Sequence, residues 1–121
     1  MSKLKQGTPL ELTVGANDSF EMQILNGGEV VDITGYTITL YVARTPESEV
    51  LLTKSTADAE EAVLTTPAEG KFRVYFIPAD TVETLPVGTL YYDVWMTTDD
   101  ARELPTMLPT MLTVRVGVGR S

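Results

Sequence analysis

Among its 121 residues the chain has no cysteine and no histidine. Without cysteine there can be no disulfide, no thiolate nucleophile and no cysteine zinc site. Without histidine, the usual proton carrier near neutral pH and the commonest transition-metal ligand are missing as well. Cations are scarce: nine Lys and Arg stand against seventeen Asp and Glu, a formal net charge of -8. That balance repels a phosphate backbone, so nucleic acid is not an expected partner. No apolar run approaches the roughly 18 residues that span a bilayer. The opening stretch, MSKLKQGTPL, has two lysines but no apolar h-region. The expectation is a chain made in a cytoplasm, without a membrane partner, that leaves only as part of an assembly.

What is present is a period of two. Residues 85–96, LPVGTLYYDVWM, run from a Pro and Gly turn into the most aromatic segment of the chain. Leu90, Tyr92, Val94 and Met96 fall on one face, and Tyr91, Asp93, Trp95 and Thr97 on the other. An unpaired buried carboxylate is expensive, so Asp93 marks the wet face and places the single tryptophan outside.

The same alternation recurs along the chain. Leu10, Leu12 and Val14 form a first strand, and Phe20, Met22 and Ile24 a second, ended by the positive-φ turn chemistry of Asn26-Gly27-Gly28. Residues 30–33 read as short and edge-like. Ile38, Leu40 and Val42 point inward, with Thr37, Thr39 and Tyr41 outward. Residues 50–55 are a weaker strand, 56–62 an acidic loop, and 63–65 a short strand before a turn at Pro67 and Gly70. Phe72, Val74 and Phe76 then face in, with Lys71, Arg73 and Tyr75 out. Asp80 and Glu83 have capping-box spacing, and with Val82 and Leu85 they predict a single helical turn. The tetrapeptide LPTM occurs twice, at Leu104 and Leu108, too short a unit for a repeat architecture. Its prolines place it at a sheet edge or bulge. Leu112, Val114, Val116 and Val118 close the chain as an inward-facing strand, with Arg115 outward.

Seven or eight such strands with one helical turn predict an all-β, antiparallel β-sandwich, with a small closed barrel as the competing form. One domain, 1–121, is expected, with an arm at 1–8 and a tail at 119–121. Each inward apolar side chain contributes about 1.5 to 3 kcal/mol when fully buried, enough in sum to hold the domain without disulfides.

Candidate chemistry is thin. Glu60-Glu61, Asp99-Asp100 and Asn17-Asp18 could offer oxygens to calcium, but none matches a calcium-loop spacing, and charge runs are normally solvated. No glycine-rich loop precedes a helix, so nucleotide binding has no motif. The reading is therefore no enzyme, no catalytic residue, no metal and no cofactor. The outward aromatics are the better signal. In an immunoglobulin-like strand order the strands holding Tyr41 and Tyr91/Trp95 are neighbours, so these three share one outer surface, and such patches favour interfaces. Tyr41, Tyr91, Trp95 and Arg115 are the candidate interface residues.

Two segments carry a resemblance. Residues 30–42, VVDITGYTITLYV, and 70–100, GKFRVYFIPADTVETLPVGTLYYDVWMTTDD, are similar to the V-D-L-T-G strand and the L-P-x-G-x-Y-x-Y-D segment of immunoglobulin-like β-sandwich domains in tailed-phage virion proteins. The N-terminal domain of siphophage upper baseplate proteins is one example. Leu90 stands where that group has an aromatic, and LPTMLPTM is not typical of it. The resemblance implies an immunoglobulin-like fold and a structural or adaptor role in a phage or prophage particle, at its baseplate, tail, neck or head. It implies protein partners, a homo-oligomer among them, and a final location in the virion. The alternative is an immunoglobulin-like module that binds carbohydrate or another ligand, with Tyr91 and Trp95 stacking on a sugar ring.

Overall fold

A computed structural model describes residues 8–117. The fold is all-β. Eleven strands are described: β1 (Leu10–Thr13), β2 (Asp18–Gln23), β3 (Leu25–Asn26), β4 (Glu29–Val30), β5 (Thr37–Ala43), β6 (Val50–Ser55), β7 (Ala62–Thr66), β8 (Lys71–Phe76), β9 (Gly88–Thr97), β10 (Glu103–Pro105) and β11 (Thr110–Arg115). The count exceeds seven or eight because β3, β4 and β10 are only two or three residues long. Two short helical turns, Pro67–Glu69 and Asp80–Thr84, interrupt them.

The larger sheet has the order β1-β11-β9-β5-β6, with β10 also paired to β9, and the smaller has the order β2-β8-β7. The β3–β4 ribbon turns at Gly27 and Gly28, both at positive φ, as the Asn-Gly-Gly sequence predicts. Pairing is antiparallel except at one place: β1 runs parallel to β11, with Leu12 opposite Val114. These two strands come from opposite ends of the described chain, so no hairpin dictates their direction.

Alternation in the sequence becomes alternation in burial along β5, β8 and most of β9. Ile38, Leu40, Val42, Leu90, Tyr92 and Val94 of the larger sheet meet Met22, Phe72, Val74 and Phe76 of the smaller in one core cluster. Phe20 is only half-buried and lies edge-on to Phe76, ring centroids 6.0 Å apart. Val116 departs from its inward expectation at 54% exposed, because β11 ends at Arg115 and the chain leaves the core there. Val118, residues 1–7 of the expected arm and the tail at 119–121 lie outside the described residues. Thr8, expected in that arm, is half-buried, and its carbonyl accepts the Tyr92 hydroxyl at 2.5 Å.

The helical turn after β8 forms, but not as a capping box. No side chain caps its start. The Asp80 carboxylate instead reaches back to accept the Ile77 N–H at 2.8 Å and pairs with Lys54 Nζ at 2.8 Å. The turn is wide, closed by Leu85 N–H donating to the Asp80 carbonyl five residues earlier.

Candidate functional site

The site is built on the outer face of the larger sheet, where β5 and β9 lie side by side. In their register Tyr41 is opposite Asp93, Thr39 opposite Trp95 and Ala43 opposite Tyr91. Because side chains alternate, Tyr91, Asp93 and Trp95 all project from the face that Tyr41 occupies on the neighbouring strand. On the other side of β9, Glu103 is opposite Thr97 and Pro105 opposite Trp95, while Met111 of β11 is opposite Tyr91.

These residues surround an open concavity of about 440 Å³, lined among others by Tyr41, Tyr91, Asp93, Trp95 and Glu103. One wall is the β5–β6 loop, which contributes Thr45, Pro46 and Ser48. That loop is tied to itself: Thr45 N–H donates to Ser48 Oγ at 2.9 Å, and Ser48 Oγ donates back to the Thr45 carbonyl at 3.0 Å. Pro109 lines the opposite wall, at the break between β10 and β11. There Thr106 donates both its N–H and its hydroxyl to the Val94 carbonyl, each at 2.9 Å, which holds the crossing against β9.

The tandem LPTM therefore has a structural role: its first copy pairs with β9 through Leu104 and Pro105 and then bulges away. Its second copy begins with Leu108, 83% exposed, and returns to the sheet at Thr110. Met107 packs against the core, whereas Met111, at the same position of the second copy, is exposed on the outer face.

The electrostatics of the concavity are negative. Burial, followed by the charges of Glu103 and Asp93, holds the Tyr41 hydroxyl above its ordinary range. Three of the four candidate interface residues, Tyr41, Tyr91 and Trp95, thus line one space, each half-buried. Arg115 is elsewhere, exposed at the end of β11 with Nη1 3.5 Å from Glu11 Oε2. Glu103 and Pro109 also belong to the site, although no sequence pattern marks either as a site residue. Only the pairing of β10 with β9 brings Glu103 there, and no local pattern announces it.

Two of the acidic clusters each commit one carboxylate to local contacts. Glu61 accepts the Ser55 N–H at 2.9 Å, and Asp100 accepts the Thr98 hydroxyl and pairs with Arg102. Hydrogen bonding from Thr98 holds the Asp100 carboxyl below its usual range. Among the described residues no group of three or more acidic side chains is placed to hold a metal ion. Tyr75 lines a separate shallow hollow with Asn17 and Glu60. What the concavity on β5 and β9 offers chemically is aromatic faces and carboxylate acceptors, the equipment of binding.

No protein-family model matches the chain, and no curated protein matches it significantly.

Proposed function

We propose that the chain is an immunoglobulin-like β-sandwich domain serving as a structural or adaptor component of a tailed-phage or prophage particle, docking on neighbouring proteins through the concavity on β5 and β9. The fold part draws support from the strand order, β1-β11-β9-β5-β6 over β2-β8-β7, in which the chain passes between sheets after β1, β2, β6 and β8. Such repeated crossing is the Greek-key habit of these sandwiches. The particle is implied by the resemblance of residues 30–42 and 70–100.

The observation that carries the interface is the gathering of Tyr41, Tyr91 and Trp95 around one space, with Val50 and Met111 exposed beside it. Large amphipathic rings in a concave setting are what protein contacts use as anchors. The test is mass spectrometry of purified particles after a photo-reactive amino acid is placed at Val50, on the rim. The expected result is the chain as a particle component, cross-linked from position 50 to a second particle protein or another copy. Absence from the particles would overturn the reading.

A second reading is favoured by one detail. Tyr91 and Trp95 flank Asp93 on the same side of β9, which also suits a sugar ring stacked on an aromatic with a carboxylate taking its hydroxyls. A saturable change in Trp95 fluorescence on titration with oligosaccharides would favour it.

A further inference from the structure

We propose that the concavity receives a positively charged side chain of the partner protein, an arginine or a lysine, between its aromatic walls and its two carboxylates. This rests on reading the face as a protein interface and specifies what the partner must present to it. The ring faces of Trp and Tyr attract cations electrostatically, most strongly where water is partly excluded. Here three such rings and two carboxylates line one space. Asp93 stands in register with Tyr41, whose hydroxyl is held up first by burial and then by the charges of Glu103 and Asp93.

Among the described residues no Lys or Arg lines the concavity. Arg102, next to Glu103 in the chain, is turned toward Asp100, Nε to Oδ2 3.2 Å. A neutral sugar would use the rings and donate hydroxyls to a carboxylate, but it would leave both negative charges uncompensated, and an anion would be repelled. Arginine fits best, since its planar guanidinium stacks on a ring while donating sideways to carboxylates. A net charge of -8 also steers a basic partner toward the chain before contact.

The test is a titration of the full chain, to millimolar concentration, with acetyl-Ala-Ala-Arg-Ala-Ala-amide and with the same peptide carrying neutral citrulline. Trp95 is the only tryptophan, so its fluorescence reports from within the concavity. We expect a saturable response to the arginine peptide and little to the citrulline one. In Asp93→Asn/Glu103→Gln the affinity should fall about tenfold. In Glu29→Gln/Glu83→Gln, which removes equal charge from exposed positions outside the concavity, it should hold. Equal responses to both peptides, no response to either, or equal losses in both double variants would overturn the proposal. Cross-linking from position 50 within particles, without a response to the arginine peptide, would remove this inference and leave the interface standing. A response without such cross-links would remove the interface reading and leave a cation site.

Discussion

Adjacent tyrosines on β9 do opposite work. Tyr91 faces the concavity, while Tyr92 is buried in the core with its hydroxyl donated to the Thr8 carbonyl. Burial pushes the Tyr92 hydroxyl up to about 12, from an ordinary value of about 10. The folded value lies above the unfolded one, so the neutral hydroxyl's contribution is complete below about pH 10 and is lost as pH rises toward about 12. Two units correspond to at most about 2.7 kcal/mol. Tyr92→Phe should therefore cost about 1 kcal/mol at neutral pH, for the hydrogen bond, and flatten the alkaline fall in stability. Urea denaturation at several pH values between neutral and about 12 checks this. A fall as steep in the variant as in the parent would assign the alkaline sensitivity to other groups, Tyr41 first among them.

At the scale of elements, the Pro67–Glu69 turn joins parts that are distant in sequence. The Pro67 carbonyl accepts Ile33 N–H at 2.9 Å and Gly70 N–H at 3.0 Å, while the Gly70 carbonyl accepts Ile24 N–H at 2.8 Å. Gly70 sits at φ 75°, and a Cβ there would meet the Val31 and Ile24 carbonyl oxygens at 2.6 and 2.8 Å. Both obstacles are backbone, so they cannot swing aside. Gly70→Ala should cost more than about 2 kcal/mol. Gly27→Ala, in the β3–β4 turn with open space around it, should cost about 1 kcal/mol, for its positive φ alone. Urea midpoints of the two variants decide between them.

This turn also shows what was legible from sequence. Pro67 and Gly70 announce it, but nothing local announces that it fastens residues near 24 and 33. Tyr41, Tyr91 and Trp95 could be placed outward from alternation alone, because Asp93 fixes which side of β9 is wet. Their meeting depends on β5 lying beside β9, a long-range pairing that needed an assumed strand order. Glu103 and the inward Lys54 are illegible for the same reason: each is explained by a partner strand or turn outside its own neighbourhood.

Across the whole molecule, two sheets share one core without a cysteine to staple them, and a buried ion pair runs between them. Lys54 of β6 belongs to the larger sheet, and Asp80 to the turn that follows β8 of the smaller; both residues are only 6% exposed. Lys54 Nζ also lies 5.7 Å from the centre of the Phe76 ring. The same turn reaches the β1–β2 connection, where Gly15 N–H donates to Thr81 Oγ1 at 2.9 Å. Removing one member of a buried pair leaves the other charge unpartnered, at about 3 to 5 kcal/mol. Lys54→Met keeps the length of the side chain and removes its charge, so stability should fall by about 3 kcal/mol. Because the core is continuous across the sheets, the loss should appear everywhere at once. Trp95 fluorescence, reporting on the larger sheet, and amide hydrogen exchange at Phe72 and Val74, in the smaller, should register the same loss of stability. A loss confined to one probe would mean that the sheets open as separate units, and the ion pair would then be stabilising one sheet's edge without joining the two.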